Sequence, residues 1–231
     1  MRRLIVLAVL SAVLGSPASA MAGVIVETGS LGSTGISWEQ TVSQEVLGSN
    51  VASFNFVGTR FYVAQPALVS HVGGHFVGGF EETSFFGAIV ALTGSDDFPN
   101  SEDLSTSDVL GVSILNFPHD SADTRGELSL QLDPGWYALV FGTQLFGTVG
   151  RGAAVRNGVD IGPSSYIVWQ DDPGWFNHSE LSGANQPGNL HFVIEGTSIP
   201  EPTTGLLLAA AAAALSIIRL VRSLGFRSRR A

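Results

Sequence analysis

The sequence predicts an all-β fold, a single β-sandwich or jelly roll that spans residues 23–197. Segments rich in Val, Ile, Phe and Tyr alternate there with clusters of Gly, Pro, Asn, Asp and Ser, which is the pattern of strands and turns. No stretch between residues 24 and 196 repeats apolar residues at the spacing of an amphipathic helix. A segment of this length is typical of one domain with a substantial core.

Nine or ten strands follow from this pattern, a number that fits two packed sheets. Alternation of apolar and polar residues is clearest near residues 128–132 and 190–195. The residues expected to be buried are Leu128, Leu130, Leu132, Leu139, Phe141, Phe192 and Ile194. Those expected on the opposite faces are Ser129, Gln131, His191 and Glu195. The predicted strands, in order, are Gly23–Glu27, Ile36–Val46, Ala52–Val63, Leu68–His75, Ser84–Leu92, Val109–Leu115, Glu127–Leu132, Trp136–Phe141, Tyr166–Trp169 and Leu190–Glu195.

Two of these strands differ from the rest in composition. Residues 85–92 and 136–141 are apolar almost without interruption, a pattern typical of strands that are covered on both sides. We therefore expect either burial on both faces or a central position in the inner sheet.

The amino terminus has the three parts of a signal peptide. An arginine pair precedes an apolar run of 11 residues, Leu4–Leu14, and small residues follow it. Signal peptidase is expected to cleave after Ala20 or Ala22, so residues 1–22 are assigned to export. An uncleaved anchor is the alternative, and it is disfavoured because the apolar run is too short to span a bilayer comfortably.

The carboxyl-terminal segment, residues 198–231, carries a predicted transmembrane helix. Residues 203–221 form a run of 19 with one charge, at Arg219, close to the about 20 residues that a helix needs to cross the hydrocarbon core. A basic tail follows at residues 222–231, and arginines beside a span stay on the cytoplasmic side. The basic stop-transfer residues are Arg219, Arg222, Arg227, Arg229 and Arg230. An ordinary tail anchor is the simpler alternative.

A tripeptide directly before this helix favours a more specific interpretation. Pro200, Glu201 and Pro202 abut the apolar run, and the order of tripeptide, apolar helix and basic tail resembles the PEP-CTERM sorting signal of Gram-negative bacteria. The resemblance implies export across the inner membrane and at least transient anchoring there. It also implies removal of the helix near the tripeptide by the membrane enzyme exosortase, and transfer of the ectodomain to the cell envelope or extracellular matrix.

The charge distribution excludes nucleic acid as a partner. The chain has a net charge of −9 and no lysine, and all 20 acidic residues lie between Glu27 and Glu201. The basic residues of that segment are Arg60, Arg125, Arg151 and Arg156. A domain this acidic repels phosphate backbones. The absence of cysteine also rules out disulfides, thiolate metal sites and a cysteine nucleophile.

The segment Thr93–Asp108 is the most acidic loop and the one candidate for a cation site. It carries five carboxylates, and Ca²⁺ binds carboxylate and carbonyl oxygens. The segment lacks a D-x-D-x-D-G pattern. A solvated loop is therefore the favoured interpretation, and no cofactor is assigned.

The tetrapeptide Asp-Pro-Gly-Trp occurs twice, at residues 133–136 and 172–175. Proline followed by glycine at the two central positions favours a type II turn, because proline fixes the first φ and glycine accepts the positive second φ. The strand after the first copy, together with Gly87–Leu92, is similar to the β-sandwich ectodomains common among PEP-CTERM proteins. That resemblance covers about residues 51–196 and implies a fold without implying an activity.

Two tryptophans beside polar residues are the candidate glycan contacts. Trp169 is followed by Asp171 and Asp172, and Trp175 lies in the same region. Extracellular sandwiches bind sugars by stacking an exposed Trp or Tyr ring on the pyranose face, while a few placed polar side chains hold the hydroxyls. Core or turn packing is the alternative, and it is favoured further for Trp136 because its strand is expected to be central.

The histidines and serines provide no recognisable catalytic or metal motif. His71 and His75 share one face of a predicted strand but lie about 13 Å apart at about 3.3 Å per residue, too far for one metal ion. A G-x-S-x-G elbow is missing, and carboxylates adjacent in sequence point to opposite faces of a strand.

These features together predict an exported bacterial surface or matrix protein without catalytic activity. Its expected partners are signal peptidase and exosortase during export, the membrane through the C-terminal helix and, if it acts in the matrix, exopolysaccharide. Two alternatives stay open, a carbohydrate-binding module that recognises exopolysaccharide and a secreted hydrolase. A binding module requires Trp169 or Trp175 on an open surface, whereas a hydrolase requires a pocket with converging carboxylates or a Ser–His contact.

Overall fold

A computed structural model describes residues 23–29, 34–42, 48–51, 55–79, 83–157, 166–171, 174–177 and 189–199, with the single positions 214 and 216. The chain divides into two compact units, Met1–Ser198 and Ile199–Ala231. The described strands all fall in the first unit. In the second unit, Ala214 and Ser216 are helical.

The described residues of the first unit contain thirteen strands and one short helix. The helix, α1, spans Trp38–Val42. The strands are β1 (Gly23–Thr28), β2 (Gly48–Val51), β3 (Asn55–Val63), β4 (Ala67–Gly78), β5 (Ser84–Leu92), β6 (Val109–Asn116), β7 (Ala122–Leu132), β8 (Gly135–Gly142), β9 (Gly152–Asn157), β10 (Tyr166–Gln170), β11 (Gly174–Asn177), β12 (Asn189–Leu190) and β13 (Phe192–Ser198).

These strands form two antiparallel sheets. The first has the order β1-β13-β4-β9-β12, with β2 also paired to β9 and β7 also paired to β4. The second has the order β11-β10-β3-β8-β5-β6. The prediction of an all-β fold is confirmed.

One core joins the facing sides of the two sheets. Phe76 of the first sheet packs on Phe85 and Phe141 of the second, with ring centroids 4.6 and 4.9 Å apart. The predicted core residues found buried are Leu128, Leu132, Leu139, Phe141, Phe192 and Ile194. Leu130 is half-buried and packs against the same core. In a chain without cysteine, this apolar burial is the main stabilising term.

β5 and β8 lie in the middle of the second sheet and are buried on both faces. Ile89 and Leu139 join the shared core between the sheets, whereas their neighbours Val90 and Val140 join a second cluster on the outer side of the sheet. The prediction for these two strands is confirmed. A strand covered on both sides needs the unbroken apolar run that the sequence shows.

The predicted strand Ile36–Val46 is wrong, because α1 begins within it. Ser37 and Gln40 form a capping pair in which the backbone N–H of Ser37 donates to Gln40 Oε1 over 2.9 Å. Trp38 then packs on a small apolar cluster of the first sheet and lies 5.4 Å from the Arg151 guanidinium. The Ser-x-x-Gln spacing was the sequence signal for this helix.

Three further strands, β2, β9 and β11, lie outside every predicted strand. All three are short and begin with glycine, so pairing with neighbouring strands in the sheet decides their structure. Ser129 and Gln131 are exposed as expected and Glu195 is half-buried. His191 was expected on the face opposite the core, and it lies there beside Asp123, but it is only 3% exposed. Its carbonyl accepts a hydrogen bond from His75 N, which places it beside β4.

Candidate functional site

Two rows of large side chains cross the outer side of the second sheet, the side that faces away from the first sheet. The row called here the buried row contains Trp175, Trp169, Phe56 and Phe86. The row called here the open row contains Tyr62, Trp136 and Leu92, which are direct neighbours on β3, β8 and β5. Phe56 and Tyr62 are six residues apart on β3, so the rows lie about 20 Å apart at opposite ends of the face.

The buried row is a closely packed aromatic group. Phe56 stacks on Trp169 with centroids 4.8 Å apart, and it meets Phe86 edge to face at 5.4 Å. Gly142 lies beneath these rings, and a Cβ placed there would come within 2.3 Å of the Phe56 ring. A residue larger than glycine at this position would therefore force the rings apart.

The acidic loop 93–108 covers this row. Leu104 of the loop is 2% exposed and belongs to the same apolar cluster. Its φ of 51° is unusual for a leucine, and side-chain burial offsets the cost of that conformation. Trp175 Nε1 donates to the carbonyl of Ser101 over 3.2 Å. The loop is therefore fastened to both the middle and the edge of the row.

The loop's carboxylates accept hydrogen bonds from the loop itself. Asp97 Oδ2 accepts from both the backbone N–H and the hydroxyl of Thr93, at 2.7 and 2.6 Å. These bonds, led by the hydroxyl, hold the pKa of Asp97 below its usual value. Asp108 accepts from Asn100 N over 2.9 Å, and Asp103 accepts from the Ser105 hydroxyl over 2.7 Å. Within the described ranges, no group of three or more acidic and histidine side chains is placed to hold a metal ion.

Arg60 fixes the loop to the sheet. Its side chain is 6% exposed, and its guanidinium lies 4.3 Å from the centre of the Phe98 ring. Nε donates to the carbonyl of Asp97 over 2.6 Å, and Nη1 donates to Asn177 Oδ1 over 2.8 Å. One buried cation thus joins the loop, β3 and β11, with its charge facing carbonyl and amide oxygens.

The structure separates the four predicted glycan contacts. Trp169 is 8% exposed and covered, so its ring has no open face for a sugar. Trp175 is half-buried and Asp171 is exposed, while Asp172 lies outside the described residues. Both tryptophan rings were expected to be at least partly exposed. This holds for Trp175 and is wrong for Trp169. Sequence reasoning identified the acidic loop but missed that it covers these rings, because Leu104 and Phe98 are isolated apolar residues in an acidic stretch.

The open row was missed by sequence reasoning. Tyr62 is 54% exposed, and its ring lies 5.2 Å from that of Trp136 with 49° between the planes. Trp136 and Leu92 are half-buried. The Tyr137 hydroxyl donates to the carbonyl of Asp133 over 2.7 Å, which fastens the turn before Trp136. A central strand was expected to hide Trp136, but Trp136 is only half-buried and Tyr62 beside it is exposed.

The first tetrapeptide does not form the predicted type II turn. Gly135 lies in β8, and its φ is not in the positive range that such a turn requires at its third residue. In the second copy, Gly174 has a φ of 93° at the start of β11. Only this second glycine has the backbone conformation that the sequence predicted.

A second polar feature lies on the outer side of the first sheet, where three strands bring histidines and acids together. His75 Nδ1 and His191 Nε2 lie 3.7 and 3.6 Å from the same Asp123 oxygen. Arg125 donates to Asp123 and to Glu195, each over 3.0 Å. His75 and His191 are 1% and 3% exposed. We call this group the histidine–acid network; within it, Arg125 of β7 forms an ion pair with Glu195 of β13.

The network explains why His71 and His75 do not act as a pair. His71 Nδ1 faces Glu195 at 3.9 Å, whereas His75 faces Asp123, and the Arg125 guanidinium lies between the two acids. A cation would have to compete with that arginine. Sequence spacing within β4 could not reveal the network, because its members come from separate strands.

The residues predicted to direct export lie outside the described residues. They are Ala20, Ala22, Pro200, Glu201, Pro202, Arg219, Arg222, Arg227, Arg229 and Arg230. In the part of the chain that the structure describes, no helix has the length and apolar character needed to cross a membrane.

Comparison with known proteins adds no family. No protein-family model matches the chain, and no curated protein matches it. The class is therefore defined by the fold alone, as an all-β protein with two antiparallel sheets.

Proposed function

We propose that the chain is an exported protein of the bacterial cell surface or extracellular matrix, without catalytic activity of its own. A single β-sandwich, residues 23–197, forms its ectodomain. A signal peptide precedes the sandwich, and a PEP-CTERM tail with a membrane-spanning helix follows it. The observation that carries this proposal is the order of Pro200-Glu201-Pro202, an uncharged apolar run and an arginine-rich end.

The tripeptide has the chemistry that a membrane-embedded processing enzyme needs. Two prolines remove backbone donors and disfavour a regular helix or strand. The sequence of the tripeptide therefore favours an extended segment just outside the predicted span, where such an enzyme would reach the main chain. The arginines after the span orient it with the ectodomain outside.

Two properties of the ectodomain support a non-catalytic surface role. The cysteine-free fold is stabilised by aromatic packing, which requires no oxidative step after export. The histidines that the fold brings beside an acid, His75 and His191, are almost fully buried, and Arg125 engages that acid, Asp123. Buried groups in this arrangement stabilise strands and have no access to a substrate.

Mass spectrometry of the mature protein from an exosortase-bearing host tests the proposal. We expect a carboxyl terminus close to Pro202, and a terminus at Ala231 when exosortase is deleted or Glu201 is replaced by Ala. Thr197→Ala, a change outside the tripeptide, is the matched control and should be processed normally. A terminus at Ala231 in every strain would reduce the tail to an ordinary anchor and contradict the proposal.

A further inference from the structure

The open row is a prominent exposed aromatic surface of the described residues. Tyr62 is 54% exposed, and Trp136 and Leu92 beside it are half-buried. Large aromatic side chains usually bury most of their area in a core. This row is left uncovered although the same face, about 20 Å away, is sealed by a loop.

The backbone that carries the two rings is fixed by the sheet. Tyr62 and Trp136 are direct neighbours on β3 and β8, two inner strands of the second sheet. The turn before Trp136 is fastened by the Tyr137 hydroxyl to the Asp133 carbonyl. When a flat ligand stacks on such rings, the protein loses little conformational entropy, which favours binding.

We propose that the open row binds a sugar ring of a neutral polysaccharide. One face of a pyranose carries several C–H groups and stacks on an aromatic ring, while its hydroxyls stay at the rim. The two rings have centroids 5.2 Å apart and are tilted by 49°, so they offer a stacking surface for one such ring rather than a flat platform for several. A small apolar surface with polar residues at its rim suits a saccharide.

The acidic loop supplies those polar residues. It leaves β5 immediately after Leu92, and Arg60, two residues from Tyr62 on the same face, holds its main chain at Asp97. Asp96 and Ser95 of this stretch are exposed. A carboxylate and a hydroxyl placed there accept hydrogen bonds from sugar hydroxyls at the rim of the rings.

The charge of this region selects a neutral ligand. Asp96 and Asp97 lie near the start of the loop, beside the rings, and the neighbouring Arg60 is 6% exposed with its guanidinium bonded to the loop main chain. An anionic polysaccharide would therefore meet like charges. An anionic membrane surface is disfavoured for the same reason.

This inference goes beyond the proposed function and does not depend on it. Sorting is decided by residues 200–231, whereas the binding surface is built from β3, β5 and β8. Failure of processing would leave the sugar site intact, and failure of sugar binding would leave processing intact.

Affinity electrophoresis of the full-length chain tests the proposal. Native gels contain one of three neutral polysaccharides, hydroxyethylcellulose, galactomannan or dextran, or the anionic alginate, and the detergent has no sugar headgroup. We expect slower migration in at least one neutral gel, unchanged by added salt, and normal migration in alginate. Tyr62→Ala and Trp136→Ala should each raise the apparent Kd roughly tenfold or more.

Two control variants test whether the Tyr62 ring itself is needed and whether loss of any exposed aromatic residue has the same effect. Tyr62→Phe keeps the ring and should bind like the wild type, and Phe146→Ala removes a 43% exposed aromatic elsewhere and should also bind normally. Tyr62→Ala should fold with an unchanged melting temperature, so a folding defect in Trp136→Ala leaves the test intact. Normal migration in all three neutral gels, retardation only in alginate, or binding unaffected by Tyr62→Ala overturns the proposal.

Discussion

In the first copy of the repeated tetrapeptide, Trp136 stands beside Tyr62, which is 54% exposed; in the second copy, Trp175 stands beside Trp169, which is 8% exposed. The four residues are identical in both copies, yet one tryptophan contributes to an open surface and the other to a sealed one. The difference comes from what lies above each strand. The acidic loop leaves β5 at Leu92, beside Trp136, and crosses to Trp175 through Ser101, but it leaves the Tyr62 ring exposed.

Replacement of Trp169 by Ala should give the largest effect, because it removes the ring that stacks on Phe56 under the loop. We expect a loss of about 3–5 kcal/mol in the free energy of unfolding, measured by urea denaturation. Tyr62→Ala, at the open end, should change that free energy by less than about 0.5 kcal/mol. Equal losses at the two positions would remove the distinction between the rows.

Replacement of Arg60 by Ala should loosen the acidic loop without replacing an aromatic residue. The loop carbonyls lose their charged donor, which predicts a loss of about 2–3 kcal/mol and faster amide hydrogen exchange across residues 93–108. Arg151→Ala is the matched control, since Arg151 is exposed and lies over Trp38 on the other sheet. Slow exchange retained in Arg60→Ala would show that apolar contacts alone hold the loop.

The two tetrapeptide glycines should respond differently to the same substitution. Gly174 has a φ of 93°, so Gly174→Ala should destabilise the fold by about 1–2 kcal/mol. Gly135 lacks a positive φ, and an added Cβ would meet only Tyr137 atoms at 3.5 Å or more; Gly135→Ala should cost less than about 0.5 kcal/mol. Thermal unfolding of the two variants side by side measures the difference, and a larger loss at Gly135 would reverse the assignment of the turns.

Acid should loosen the acidic loop through Asp97. Its folded-state pKa lies below the ordinary value of 3.8, chiefly because of hydrogen bonds from Thr93. The ionised carboxylate therefore stabilises the fold above that value, and the contribution is lost as the pH falls through the folded-state pKa. We expect Asp97→Asn to lower the melting temperature at neutral pH by a small amount that shrinks in acid. The exposed Asp171 provides the control variant, Asp171→Asn, and a difference that grows in acid would contradict the sign.

The strand pattern was predictable where the chain alternates or runs apolar without interruption. Residues 85–92 and 136–141 carry their own signal, since a strand covered on both faces needs apolar residues throughout. β9 and β11 carry no such signal and form because a neighbouring strand offers hydrogen bonds. The α1 segment did carry a helix signal, the Ser37–Gln40 capping pair. The β-branched residues around it favoured a strand.

The site was harder to predict because it depends on contacts between distant segments. Trp169 and Trp175 stand beside acids in the sequence, which favours ligand contact, but Leu104, far earlier in the chain, closes the surface above them. Tyr62 and Trp136 are 74 positions apart and become neighbours only through strand register. Periodicity places a side chain on a face and does not say which loop covers that face.

Oxidative footprinting read out by mass spectrometry tests the contrast between the two rows most directly. Tyr62 and Trp136 should be modified quickly, whereas Trp169 and the 3% exposed Tyr166 should be modified slowly. A neutral polysaccharide that retards the protein in gels should protect Tyr62 and Trp136 and leave Trp175 unchanged. Modification of Trp169 as fast as Tyr62, or protection at Trp175 instead of Trp136, would contradict the account.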